Sequence, residues 1–315
     1  MKASRIYPAA ALAAAATMLL VIGASSEAAT INVACPGQTV QAAVDSAAAG
    51  DTVAVTGVCN ENVLIRNEKQ RIALSGSGAT ISGPNAASPT LNIRGKGIVV
   101  SGFTITGGRD GVHINRGSNA TIQSSTIQGT GRHGILVDQL GFAIITGNTI
   151  QNNLSGSGIV VSENSIARIG FNSDSDASAS PNTIQGNGKG GIVVSRTSSA
   201  RIVGNNVLSN TGGIDAGHGI QVVRLSQADI ASNTINSNAG SAVYTAQNGG
   251  VNLGEDSPSS FFDQPNLTTS NNTGNGVRCD LGAYAQGHLG NSNQLNGTAG
   301  QLNINGSCPG TLGTP

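Results

Sequence analysis

A phrase of about 21 to 24 residues returns along most of this chain, and it limits the possible folds more than any other feature. It reads roughly x-A-x-I-x-x-N-T-I-x-x-N-x-x-G-I-x-V. One copy runs through Phe142-Ala143-Ile144-Ile145, Asn148-Thr149-Ile150 and Asn153 to Gly158-Ile159-Val160-Val161. The next runs through Ala167-Arg168-Ile169, Asn182-Thr183-Ile184 and Asn187 to Gly191-Ile192-Val193-Val194. Two further copies end at Gly219-Ile220-Gln221-Val222 and Ala242-Val243-Tyr244-Thr245, and weaker ones end at Val112-His113-Ile114, Ile135-Leu136-Val137 and Val277-Arg278-Cys279. A period of this length marks a solenoid. Each copy holds three short segments with period-2 alternation, parted by Gly and Asn. No intervening stretch is long and apolar enough for a crossover helix. The expectation is therefore an all-β chain of about eight or nine coils, three parallel strands to a coil. Alternation puts Ile159, Val161, Asn148 and Ile150 inside, and Val160 and Thr149 outside.

Two asparagine columns follow from the repeat: Asn148, Asn182, Asn205, Asn233 and Asn266, and Asn153, Asn187, Asn210, Asn238 and Asn271. Asn tolerates left-handed geometry and its amide bonds bent backbone, so both columns are read as turn ladders stacked at about 4.8 Å. Before the first coil, Pro36 to Ala47 reads as a short helix with Val40, Val44 and Ala47 on one face and Gly50 as its stop. An open solenoid end exposes core and strand edges, so this helix is read as a cap.

Lys2 and Arg5 precede an apolar run from about Ala9 to Ala24 and then Ser26-Glu27-Ala28, the pattern of a secretory signal peptide. The expected organisation is a signal peptide at 1–28, an N-terminal cap at 29–60, β-helix repeats at 61–279 and a C-terminal cap at 280–315. Cleavage leaves 14 basic and 15 acidic residues and no basic stripe, which speaks against a nucleic-acid partner. No later segment is apolar enough to span a bilayer, so the product is expected to be secreted or periplasmic. All four cysteines lie in the mature part. Opposite ends of a solenoid are too far apart to bridge, which pairs Cys35 with Cys59 and Cys279 with Cys308.

The entry Gln41-Ala42-Ala43-Val44-Asp45-Ser46-Ala47-Ala48-Ala49-Gly50-Asp51-Thr52-Val53, with the repeated N-T-I…G-I-V-V phrase, resembles the right-handed parallel β-helix repeat proteins of the pectin-lyase-like superfamily. The resemblance covers about residues 35 to 310. It implies the fold, and it implies that any enzymatic activity would be directed at acidic polysaccharide along a long outer face. It does not itself assign one.

Three constellations are candidates for chemistry. Arg109-Asp110-Gly111-Val112-His113 aligns with Arg132-His133-Gly134-Ile135-Leu136, with Asp138 following. Asp110, His113 and His133, supported by Arg109, Arg132 and Asp138, combine a carboxylate, two imidazoles and two guanidiniums. Such a set can neutralise a uronate and move its C5 proton, as β-elimination or epimerisation requires. The sugar-acid epimerases of the superfamily use Asp-Pro-His with a nearby Tyr; here the spacing is Asp110-x-x-His113, and Tyr244 is several coils away. Gly217-His218-Gly219, with Asp215, matches the Gly-His-Gly of polygalacturonases, but the Asp-Asp pair of that family is absent. Matching insertions at 170–181 and 254–265 carry Asp174 and Asp176, and Glu255 and Asp256, and offer a calcium reading through oxygen ligands. No other cofactor or metal is implied. Leu136, Val160 and Val193 form an outward apolar stripe continued by Gln221 and Tyr244.

The resulting expectation is an exported, non-catalytic β-helix scaffold that binds polysaccharide or another envelope component. The alternative is a polysaccharide-active enzyme, a uronate lyase or C5-epimerase before a hydrolase, working through Asp110, His113 and His133.

Overall fold

A computed structural model describes residues 27–254, 264–288, 295–300 and 312–313. Most of the signal segment, Cys308 and residues 255–263 of the second insertion lie outside the described residues.

The Ile/Val alternation produces three parallel sheets, with twelve, eight and nine strands among the described residues. Within one coil the chain passes from a first-sheet strand such as Phe142–Thr146, through Thr149–Gln151 in the second, to Ile159–Val161 in the third. It then returns to the first sheet at Ile166–Ile169. Consecutive coils stay in register: Ile150 pairs with Ile184, and Ile159 with Ile192. The inward columns fuse into one continuous core. Ile105, Ile127, Ile150 and Ile184 follow one another in the second sheet, all wholly buried. Each such side chain contributes about 1.5–3 kcal/mol relative to exposure.

The corners need polar groups, because a chain that turns inside a core leaves backbone groups without ladder partners. The asparagine columns supply them. Asn148 Nδ2 donates to Asn182 Oδ1 at 3.0 Å, and the relay continues through Asn205, Asn233 and Asn266 at 2.8, 3.0 and 2.8 Å. In the second column Asn153, Asn187, Asn210 and Asn238 are linked at 2.8, 2.9 and 2.8 Å. That column ends at Asn272 and not at the expected Asn271: Asn238 Nδ2 donates to Asn272 Oδ1 at 2.9 Å. The last turn carries one residue more than its predecessors, which moves Asn271 to the surface.

The cap helix is shorter than expected, Val40–Ser46, with Thr39 as N-cap. Glu61, from the following coil, accepts from the Val40 and Gln41 amides at 2.7 and 3.0 Å, so the first turn is closed by a side chain of the solenoid itself. Val40, Ala43 and Val44 are buried. Cys35 and Cys59 form a disulfide that ties the first strand to the next coil, while Cys279 is buried and its expected partner Cys308 is outside the described residues. A loop of 24 residues is closed by the Cys35–Cys59 bond, which is worth roughly 3 kcal/mol in the chain-entropy picture. The double variant Cys35→Ser, Cys59→Ser is expected to unfold at a clearly lower denaturant concentration; an unchanged midpoint would show that core contacts alone hold the cap.

No helix among the described residues is long and apolar enough to cross a membrane.

Candidate functional site

Asp110, His133, Ser157, His218 and Ser241 occupy one register position, two residues ahead of the third-sheet strands. At this position Asp110, His133, His218 and Ser241 each accept, through the side chain, from the backbone N–H of the next coil. Asp110 Oδ1 takes the His133 amide at 3.2 Å, His133 Nδ1 the Ser157 amide at 3.0 Å and His218 Nδ1 the Ser241 amide at 2.9 Å. Ser241 Oγ takes the Asn275 amide at 3.1 Å. Two residues that sequence reasoning grouped as catalytic, and a third it held separately, therefore share one architectural task.

Asp110 is wholly buried. Arg132 donates to both of its oxygens at 2.8 and 2.9 Å, and Arg109 Nε to Oδ2 at 2.9 Å. Burial alone would raise the Asp110 carboxyl; the hydrogen bonds from Arg132 and Arg109 outweigh it and hold the group below its ordinary 3.8. A carboxylate with four donors and no exposure is a poor base. Asp110 meets His133 only through the latter's backbone N–H, for the imidazole is turned toward Ser157. Burial, reinforced by the Arg132 guanidinium, lowers His133 to about 4. The ring is neutral at pH 7 and its proton sits on Nε2.

His113 stands apart from that column. It faces outward, and Nε2 lies 2.8 Å from Asp138 Oδ1, both side chains being mostly covered. Neighbouring outward positions hold Asn92, Arg94 and Asn115, which sequence reasoning did not single out. Asn115 Nδ2 donates to Asn92 Oδ1 at 3.0 Å, whereas buried Asn115 Oδ1 and Arg94 Nε have no partner. Of the apolar stripe beside them, Leu136 and Val160 are covered, at 6% and 8% exposed, while Val193 is half-buried. Outward side chains on adjacent coils lie close enough to cover each other.

His218, wholly buried, stacks on Tyr244 with ring centroids 4.3 Å apart, and the Arg278 guanidinium lies 5.3 Å from the Tyr244 ring centre. Arg278 is paired with Asp280 at 2.9 Å and approaches Asp215 at 3.6 Å. Burial, with Arg278 next, lowers His218 to about 4. Sequence spacing puts Tyr244 several coils from Asp110 and His113; the register sets it against His218.

A concavity lies on the outer face of the first sheet. A cavity of about 330 Å³ is lined by Phe142, Ile166, Arg168, Arg201, Gln227 and Asp229 with the small residues between them. A second of about 260 Å³, lined by Val99, Asn119, Thr121 and Ile144, shares Phe142 and extends the groove over the preceding coils. The 170–181 insertion begins at Gly170 (φ +102), where a Cβ would lie 1.8 Å from the Val203 carbonyl oxygen, so only glycine permits the departure. The insertion folds back and buries Phe171 against Val203 and Ala179. It also organises the groove. Asp174 pairs with Arg201 at 2.5 Å and lies 3.9 Å from Arg168; Arg168 donates to the Asn172 carbonyl at 2.9 Å. Both guanidiniums sit over the Phe171 ring, at 5.8 and 4.7 Å. Asp176 accepts from the Asn172 and Ser173 amides. Asp174 and Asp176 thus face separate partners, which runs against the calcium reading of Asp-x-Asp.

Residues 51–174 and 164–260 match the family described as the right-handed beta helix region. No curated protein matches by sequence. Among solved structures, alginate lyase from Paenibacillus sp. str. FPU-7 is 17% identical over 90% of this chain and 98% of its own, with a TM-score of 0.51. Pectate lyase Pel9A is 10% identical over 91% of this chain and 82% of its own, with a TM-score of 0.56. At these identities the likeness is one of fold.

Proposed function

The chain belongs to the right-handed β-helix family, and from the faces this scaffold displays we propose that it is an exported, non-catalytic β-helix that binds polysaccharide along the groove of its first sheet. The observation that carries the reading is the groove floor. Phe142 and the half-exposed Ile166 offer apolar surface to a sugar ring, and Arg168, Arg201, Gln227 and Asp229 offer donors and acceptors to hydroxyl and carboxylate groups. The insertion fixes both guanidiniums before any ligand arrives, which lowers the ordering cost of binding. Asp110 and His133, by contrast, are spent on the solenoid's own backbone. Alginate and pectate, named for the two structural neighbours, are the first ligands to try.

The double variant Phe142→Ser, Arg168→Ala is expected to weaken retention on an alginate or pectate gel about tenfold, or about 1.4 kcal/mol. Thr149→Ser, on another face, is expected to leave retention unchanged. Wild-type protein that passes unretained through alginate, pectate and glycosaminoglycan gels would overturn the proposal.

One observation favours a second reading, a uronate lyase or C5-epimerase. His113 is oriented by Asp138, and the unpartnered Nε of Arg94 lies on the same face. A guanidinium to neutralise the carboxylate and an imidazole to take the C5 proton are the minimum such chemistry needs.

A further inference from the structure

The second sheet presents an outer face of a different kind. Its eight strands contain no charged and no aromatic residue. Thr80, Thr104, Thr126, Thr149 and Thr183 occupy one outward column on five consecutive coils, paired in register. Parallel strands set their spacing at about 4.8 Å. All five are half-buried, and none of their hydroxyls has a hydrogen-bond partner among the described residues. The neighbouring outward column reads Ser82, Thr106, Gln128, Gln151 and Gln185. There the amides are locked into a straight row, Gln151 Nε2 donating to Gln128 Oε1 and Gln185 Nε2 to Gln151 Oε1, each at 2.9 Å.

A solvated protein face ordinarily carries a large share of Lys, Glu, Asp and Arg. This one replaces them with a regular array of hydroxyl and methyl groups. Threonine is branched at Cβ and has few χ1 options, so its hydroxyl and methyl repeat as faithfully as the backbone beneath. Such a face is complementary in charge to a neutral, periodic surface of oxygen donors and acceptors. It is a poor match for a flexible acidic polymer, which would call for cations, or for sugar rings, which stack on aromatics. Ice is the lattice that fits: its oxygens repeat on a comparable spacing, it is uncharged, and methyl groups between regularly spaced, unpartnered hydroxyls hold first-layer water in order. We propose that the outer face of the second sheet is an ice-binding surface, independent of the first-sheet groove.

Thermal hysteresis and inhibition of ice recrystallisation by the purified mature chain test this. Wild-type protein is expected to arrest crystal growth and facet the crystals. The double variant Thr126→Lys, Thr149→Lys is expected to lose most of that activity while keeping its circular dichroism and its retention on polysaccharide gels. Ser75→Lys, on the outer face of the first sheet and outside the groove, is expected to keep the activity. Wild-type protein that neither shapes ice nor slows recrystallisation overturns the proposal even if no variant can be prepared. Equal activity in wild type and the double lysine variant overturns it as well, and so does capture by microcrystalline cellulose without any effect on ice.

Discussion

Asn205→Leu is expected to destabilise the chain by on the order of 4 kcal/mol, the largest effect of any single substitution discussed. The amide is wholly buried. Its Oδ1 accepts from the Asn182 backbone N–H and the Asn182 side chain at 3.2 and 2.8 Å. Its Nδ2 donates to the Ile169 and Val203 carbonyls and to Asn233 Oδ1 at 3.0, 3.1 and 3.0 Å. Leucine fills the space and satisfies none of these groups, and each buried group left unpaired costs about 1–3 kcal/mol. Hydrogen exchange at the Asn182 amide should accelerate together with the fall in denaturation midpoint. The adjacent Asn206 is half-buried on the outer face of the second sheet and is expected to change stability by less than about 0.5 kcal/mol when replaced by alanine. Equal effects at the two positions would show that the ladder is not what holds the corners.

Stability is expected to fall as the pH drops from 6.5 to 4. His133 and His218 each go from an ordinary 6.5 in the unfolded chain to about 4 in the folded one, first because burial disfavours the imidazolium and then because Arg132 and Arg278 stand nearby. A depressed folded value means that the unfolded chain takes up the protons first. The contribution is complete above 6.5, is lost through the interval and is gone below about 4. Protonation also removes the lone pair on Nδ1 that accepts the Ser157 or Ser241 amide. The fully buried His218 accounts for about 3 kcal/mol, and the partly exposed His133 for less. The test is a urea midpoint measured at several pH values for wild type and for His218→Asn, whose amide oxygen can replace the Nδ1 acceptor. The variant should lose the steeper part of the acid dependence. The same slope in both would assign the acid sensitivity to other groups.

Most of the fold was legible because the forces that build it are local and repeated. Ile and Val at alternate positions state which side of each strand is inside, and an asparagine that returns once per coil states where the corners are. The reading slipped where the local count changed, at the Asn266–Asn272 turn with its one additional residue. The groove was less legible. Arg168, Phe171, Asp174 and Arg201 come together only because the insertion folds back onto the next coil, and no spacing rule encodes that direction. Asp110 and His133 were placed one above the other correctly. Which way each side chain turns depends on the backbone N–H it must satisfy, a demand visible only after the coils are stacked. The same holds for Tyr244, which the coil register stacks upon His218.

The most direct test of a binding scaffold against an enzyme places the purified mature chain with alginate and with pectate and reads retention and unsaturated-uronate absorbance on the same samples, with proton NMR for epimerised residues. A non-catalytic scaffold predicts retention with flat absorbance and an unchanged uronate spectrum, and retention that survives His113→Ala and His133→Ala. A rise in absorbance, or new epimer signals, that disappears in His113→Ala or His133→Ala would contradict it.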